Sequence, residues 1–307
     1  MKKILLATTV LAATTGFAAA EVTLSGDARM GIISNFDILL DDPLTTTVDE
    51  SLITESDLAF TSRARVKFTL SGSTDGGLEF GASFRADNAG AASSGDAGSV
   101  FISGAFGKLS MGDVDGAANA AVGHVSGVGL TGLGDLNEST YIGNGSGVTD
   151  PSALYEYSTG DLTIYASATN PGPDAAKTLD AYSIAAKYAL GDYTVALGYE
   201  TVNNVTNDDQ IIAGVSATFG AATVKAKYGQ ANVGLLSGNQ YAVSVDYKMD
   251  ALTVTAFYNN KVDIGGQEAY GLGASYDLGG GASLVGGYSQ NQTSNEAAYD
   301  LGVSMSF

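Results

Sequence analysis

The chain has 307 residues, no cysteine and a formal charge of −19 from 14 basic and 33 acidic residues. It therefore has no disulfide framework and no thiolate metal ligand, and its field repels nucleic acid instead of binding it. With 45% hydrophobic residues, 16 Tyr and 11 Phe, it is too apolar for a disordered acidic polymer.

The first element is a targeting segment. Met1-Lys2-Lys3 is a short basic head, residues 4–17 are uncharged and largely apolar, and Ala18-Ala19-Ala20 places small residues at a cleavage position. This is the pattern of a secretory signal peptide over 1–20, with Glu21 as the expected mature terminus; a membrane anchor wants about 18 or more apolar residues. Residues 21–307 then form one domain, and the loss of Lys2 and Lys3 leaves 12 basic residues against 33 acidic ones, a charge of −21.

Beyond residue 20 no apolar run is long enough to cross a membrane as a helix. The recurring signal is alternation of apolar and polar residues over eight to twelve positions, broken by Gly, Asn and Asp clusters. The first strand is expected over 22–32, with Val22, Leu24, Ala28, Met30 and Ile32 on one side. Phe60, Ala64, Val66, Phe68 and Leu70 mark the second, and Leu78, Phe80, Ala82 and Phe84 the third. Strands near 99–105 and 108–113 flank the Phe106-Gly107 corner. The pattern resumes at 153–158 and 162–168, then in the pairs 182–188 with 193–199, 211–219 with 224–228, 241–247 with 252–258, and 270–276 with 284–288. It ends on 299–307, where Tyr299, Leu301, Val303, Met305 and Phe307 alternate with Asp300, Gly302, Ser304 and Ser306.

Roughly sixteen strands result, an even number as expected of an all-β, antiparallel transmembrane β-barrel closed on itself. Joins at Gly76, Phe106-Gly107, Thr159-Gly160-Asp161, Gly191-Asp192, Phe219-Gly220 and Met249-Asp250 are tight. Longer polar segments at 35–57, 113–152, 170–180 and 201–209 lie between them, so one rim carries short turns and the other long loops. Tyr188, Tyr193, Tyr199, Tyr228, Tyr241, Tyr247 and Tyr258 at the ends of apolar stripes suit membrane-interface girdles. The terminal strand should pair with 22–32, so that Glu21 and Phe307 mark the closure and no sheet edge is left.

Nine of the twelve mature basic residues fall on the polar faces of expected strands: Arg29, Arg63, Arg65, Lys67, Arg85, Lys187, Lys225, Lys227 and Lys248. Facing lipid, each costs about 2–4 kcal/mol near the midplane, so they are expected to face a wet interior. Arg63, Arg65 and Lys67 stack on one strand, with Arg29 and Arg85 on its neighbours, and such a cluster needs an acidic partner. The longest segment, 113–152, supplies Asp113, Asp115, Asp135, Glu138 and Asp150 and no basic residue. A loop of this length is usually functional, and it is expected to fold into the lumen and set a transverse field across a constriction; the alternative is a solvated surface loop.

The segment 35–57 carries Asp37, Asp41, Asp42, Asp49, Glu50, Glu55 and Asp57 without a basic residue. Carboxylate oxygens suit Ca²⁺ or Mg²⁺ bridging to anionic lipid such as lipopolysaccharide, or else a diffuse acidic surface. No cofactor is required. His124 is the single histidine, so a histidine zinc cluster is excluded, and no Gly-x-Ser-x-Gly elbow accompanies the many serines. Gly127, Gly129 and Gly132 match a dinucleotide fingerprint in spacing only, without its strand–turn–helix context. No enzyme is expected.

Leu24-Ser25-Gly26-Asp27-Ala28-Arg29-Met30-Gly31, Leu78-Glu79-Phe80-Gly81-Ala82-Ser83-Phe84, the stretch 100–113 (VFISGAFGKLSMGD) and the stretch 271–281 resemble alphaproteobacterial general porins of the Rhodobacter type. The resemblance covers the mature chain. It implies a 16-stranded homotrimeric barrel in the outer membrane that passes small hydrophilic solutes, with the third loop folded inside as an eyelet. It places Arg29, Arg63, Arg65 and Arg85 on the basic side of that eyelet and 113–150 on the acidic side. Bound Ca²⁺ is known in such porins, and Phe307 matches the aromatic end that assembly machinery recognises. A plugged structural or adhesive barrel is the competing class, and ion selectivity stays open because net acidity and a basic wall act in opposite directions.

Overall fold

A computed structural model describes residues 21–34, 58–88, 98–143, 152–169, 180–203 and 206–307. The expected signal peptide, the acidic segment 35–57 and Asp150 lie outside these residues. Sixteen strands are formed: β1 (Glu21–Ile33), β2 (Ala59–Ser73), β3 (Glu79–Asn88), β4 (Ser99–Gly104), β5 (Gly107–Gly112), β6 (Ser152–Thr159), β7 (Leu162–Thr169) and β8 (Asp180–Leu190). The second half comprises β9 (Tyr193–Asn203), β10 (Asp208–Phe219), β11 (Ala222–Val233), β12 (Leu236–Met249), β13 (Leu252–Asn260), β14 (Glu268–Gly279), β15 (Ala282–Asn291) and β16 (Glu296–Ser306). Each pairs antiparallel with its neighbours in sequence, and β1 also pairs with β16, closing the barrel.

Alternation explains why this closure is stable. On β9, Tyr193, Val195, Leu197 and Tyr199 are exposed on the outer face, whereas Gly198 and Glu200 turn inward and are buried. Val22, Leu24, Leu70, Phe80, Val100, Val215, Val243 and Leu284 repeat the outward apolar pattern around the ring. So continuous an apolar exterior is a surface for lipid, and the closed ring satisfies the backbone hydrogen bonds of every strand without an edge.

The tight rim matches the expected joins. Gly160, Gly191 and Gly220 open two-residue turns at φ of 58°, 57° and 60°, a left-handed geometry that suits the twist of paired strands. The other rim departs from its expectation in its second half. β9 runs to Asn203 and β10 resumes at Asp208, so the polar stretch 201–209 is mostly strand. β11 and β12 are joined by Gly234 and Leu235 alone, because alternation continues to Val233 and resumes at Leu236.

At the seam, Asp27 opposes Ser306 and Ile33 opposes Asp300. Phe307 N donates to Gly26 O at 2.9 Å, and Gly26 N donates to Phe307 O at 3.2 Å. Glu21 sits elsewhere, opposite Ser71 on β2. Closure therefore falls at Gly26 and Phe307 and not at Glu21, because the stagger of a tilted barrel carries β1 past the end of β16.

The segment after β5 enters a helix, α1 (Ala117–Val122), and continues through turns to Gly143. Its contacts are with inward-facing side chains. Val125, Val128, Leu133 and Leu136 pack with Ile33, Ala242, Phe257, Ala269 and Ala298 in an apolar cluster inside the barrel. Full burial of a Leu or Phe is worth about 1.5–3 kcal/mol, enough to hold a loop with little regular structure. Small wall residues admit it: a Cβ on Gly198 would lie 2.6 Å from Ala118 Cβ, and one on Gly287 would lie 2.6 Å from Gly129 N.

Candidate functional site

The pore lining has two unlike halves. On the first, strand register gathers the inward basic residues. Arg29 opposes Arg63, Asp27 opposes Arg65, and across the next strand pair Arg65 opposes Asp87 and Lys67 opposes Arg85. Arg63 Nη2 donates to Asp27 Oδ1 at 3.0 Å, and Arg65 Nε lies 3.1 Å from Asp87 Oδ2. Arg85 grips the same Asp87 through Nε at 2.6 Å and Nη2 at 2.9 Å, a bidentate arrangement.

The acidic partners of this cluster are thus Asp27 and Asp87 on the barrel wall, in place of the loop carboxylates expected from the sequence. Both were legible: Asp27 and Arg29, and likewise Arg85 and Asp87, are two apart on one strand and must share a face. Against the cations Arg29, Arg63, Arg65, Lys67 and Arg85, the two wall carboxylates that pair with them among the described residues leave the cluster net positive. These pairs are partly exposed and add little stability; their weight is in the field they set across the lumen. A further inward pair, Lys108 Nζ to Glu156 Oε2 at 3.6 Å, was missed by sequence reasoning because β5 is too short for a clear alternation.

On the other half, residues 117–143 line the wall from β7 to β16. Ser167 and Ser183 hydroxyls accept from Ala117 N at 2.8 Å and Ala118 N at 2.9 Å, the orphan donors at the start of α1. Ser126 Oγ donates to Asp246 at 2.6 Å, and Asn259 Nδ2 donates to the carbonyls of Leu136 and Glu138, each at 2.8 Å. Glu200, Gln210 and Gln240 form a buried knot. Glu200 Oε2 accepts from Ile142 N at 2.8 Å, while Gln210 and Gln240 both donate to Thr140 O, at 2.9 and 2.8 Å. On β16, Asp300 accepts from Leu130 N at 2.9 Å. These anchors stand on polar strand faces, yet period-two reading gives a face and not a partner, so they were not identified.

The loop buries its apolar side and exposes its acids. Leu133 and Leu136 face the wall, whereas Asp113, Asp115, Asp135 and Glu138 are exposed. Asp113 lies where the segment leaves β5, its N–H donating to Gly98 O at 2.8 Å, and Asp115 Oδ1 accepts from Asn119 Nδ2 at 2.9 Å. Partial desolvation by the wall, and then the charge of Asp135, raise the Glu138 carboxyl above its ordinary value. Its oxygen lies 4.0 Å from His124 Nε2. His124 accepts from Ser139 N through Nδ1 at 3.1 Å, and burial followed by the charges of Lys227 and Lys261 lowers it to about 4. His124 is neutral at pH 7, a structural support of the loop. Among the described residues no three acidic or histidine side chains group as metal ligands.

The whole arrangement is an outward-apolar cylinder with a basic wall on β1 to β3 and an acid-bearing loop on β7 to β16. Known proteins share its fold. The family described as Gram-negative porin matches residues 7–296. A porin of Rhodobacter capsulatus is 38% identical over 94% of this chain and 100% of its own length. A porin of Fuscovulum blasticum is 26% identical over 94% of this chain and 100% of its own. A porin structure refined at 1.8 Å is similar with a TM-score of 0.76 and 36% identity, covering 94% of this chain and 100% of that one. A mutant of Rh. blastica porin has a TM-score of 0.69 at 23% identity over 94% and 100% of the two chains, a likeness of fold.

Proposed function

The chain belongs to the Gram-negative porin family and is a general diffusion porin of the outer membrane, and on that premise we propose that its lumen narrows to a charged constriction passing small hydrophilic solutes and ions. The observation that carries this reading is the docking of residues 117–143 on the inner faces of β7 to β16, away from the arginine wall on β1 to β3. Exposed loop acids on one side and an excess of cations on the other set a transverse field that favours dipolar solutes.

The working unit is a homotrimer joined through the exterior of β1 to β5. Support comes from the distribution of tyrosine: all 16 lie at or beyond Tyr141, so the outer face of the first five strands carries no tyrosine. It carries Val22, Leu24, Phe60, Phe80, Val100 and Ile102 instead, with Phe60 92% exposed. Surfaces anchored in a lipid interface favour Tyr and Trp; a surface covered by protein does not need them. Outer-membrane lipid and lipopolysaccharide cover the remainder. Residues 1–20 are removed on export, Ca²⁺ is an optional ligand of the acidic surface, and no catalytic step is assigned.

Planar-bilayer recording of the purified protein tests the reading. Stepwise currents arriving in threes, and a reversal potential in a KCl gradient that changes when wall arginines are neutralised, are the expected results. A barrel that inserts without conducting would indicate a plugged lumen and overturn it.

A further inference from the structure

A second cationic feature lies behind the loop, away from the arginine wall. One level of the barrel runs Lys187, Ala196, Gly214, Lys227 across β8, β9, β10 and β11, each residue opposite the next. Two small residues thus form a floor between two lysines. Lys225 stands one inward position away on β11, opposite Ser216. The end of α1 roofs the floor, close enough that a Cβ on Gly214 would lie 2.9 Å from Val122 Cγ1. Between floor and roof is a cavity of about 230 Å³ lined by Lys187, Lys225, Lys227, His124, Ala196 and Gly214.

Lys227 is 7% exposed, and its Nζ has no hydrogen-bond partner among the described residues. The amine reaches towards the loop, since a Cβ on Gly123 would lie 3.9 Å from it. Lys187 rests over the Tyr165 ring at 5.7 Å. None of the three lysines forms an ion pair among the described residues. The loop acid that acts on Lys227 is Glu138, without forming an ion pair with it. Buried ammonium groups without partners are costly, and such a cluster is stabilised by an anion. Thr194 and Ser216 on the lining add hydroxyl donors.

The geometry points to a binding subsite for a compact, multiply charged oxyanion of the phosphate class, held by Lys187, Lys225 and Lys227 beneath α1. The cavity is smaller than the roughly 300–1,000 Å³ of sites for drug-sized ligands, which suits an ion and not a large metabolite. It opens inside the barrel, so its source is free phosphate in the lumen and not a lipid headgroup. The site rests on the reading of a water-filled pore and gives that pore a place where phosphate pauses beside the passage.

Equilibrium dialysis of the detergent-solubilised full chain against radiolabelled inorganic phosphate, at low ionic strength and pH 7, tests it without conduction. Saturable binding of one phosphate per chain is expected, weakened about tenfold or more by Lys227→Gln and by Lys187→Gln. Lys248→Gln, which removes the same charge elsewhere, should leave affinity unchanged. Heat-modified migration on SDS gels shows that each barrel is folded, and Lys225→Gln replaces any variant that is not. Absence of saturable binding, equal affinity in all lysine variants, or displacement by phosphatidylglycerol micelles would overturn the site. A protein that conducts without binding phosphate refutes the subsite alone, and one that binds without conducting refutes the open pore alone.

Discussion

Thr131 and Asp300, 169 positions apart, are joined twice at one carboxylate oxygen: the Thr131 backbone N–H donates to Asp300 Oδ2 at 2.6 Å and the Thr131 hydroxyl at 2.8 Å. The other oxygen takes Leu130 N at 2.9 Å. One side chain on the last strand therefore fixes the middle of the internal loop. Hydrogen bonds to a charged acceptor are worth about 1.5–3 kcal/mol each. Asp300→Ala should leave the barrel assembled but free the loop, giving a noisier and larger single-channel conductance. A quiet channel of native conductance would contradict this.

Steric exclusion should act on the other end of the loop. A Cβ at Gly198 would lie 2.6 Å from Ala118 Cβ and 2.8 Å from its Cα, a clash with the helix backbone that no side-chain rotation relieves. Gly198→Val is expected to push α1 away from β9 and to raise conductance about as much as replacing residues 117–142 with a short Gly-Ser linker. Proteinase K digestion should then cut the loop in the folded barrel, which it spares in the native protein; trypsin has no site there, since 113–152 holds no Lys or Arg.

Neutralising Arg63 and Arg65 together removes two cations and leaves Asp27 without its partner. The reversal potential should move toward cation preference. The shift should be clear at 0.1 M KCl, where screening reaches about 10 Å, and small at 1 M, where it is about 3 Å. A shift independent of salt would place the controlling charges elsewhere.

Acid should loosen the loop through His124. Its folded value of about 4 lies below the ordinary 6.5, so the unfolded loop binds the extra proton first. The linkage runs against folding as pH falls from 6.5 to 4, with an upper bound of about 3 kcal/mol. Glu138 is raised by partial desolvation and the charge of Asp135, and its protonation works in the opposite direction. Lys227, Lys261 and Tyr141 are the other titratable groups around the imidazole. Current noise should rise between pH 6 and 4 in the native channel and less so in His124→Gln; identical profiles would remove the imidazole from the account.

Phe60→Asp places a charge on the exposed outer face of β2. Trimers resolved by cross-linking should fall apart to monomers whose β-sheet spectrum is unchanged. Persistence of the trimer would move the interface away from this face.

Much of the barrel was legible in the sequence because alternation is a local signal. Tyr193, Val195, Leu197 and Tyr199 announce a face without reference to any other strand. The internal loop was legible only as a length and a charge. Its helix has six residues, four of them Ala, too short to show a period, and its hold comes from Glu200, Gln210, Gln240 and Asp300, which are remote in sequence. The wall cluster was half legible: Arg29, Arg63, Arg65, Lys67 and Arg85 were read as one inward group, while Asp27 on the strand of Arg29 and Asp87 on the strand of Arg85 were passed over. Lys187 and Lys227 were placed inward, but only the register across β8 to β11 puts them at one level around a small-residue floor.

The bonds between Gly26 and Phe307 have a consequence for the order of events in biogenesis. They join the first strand to the last, so their formation waits until nearly the whole polypeptide is present. Until then both terminal strands display unpaired amides and carbonyls, and contacts so distant in sequence form slowly. A chain halted at β15 would carry almost all of its outer apolar surface and yet have no way to shut. The final pairing is therefore a checkpoint: the barrel cannot shut before its last strand is in place.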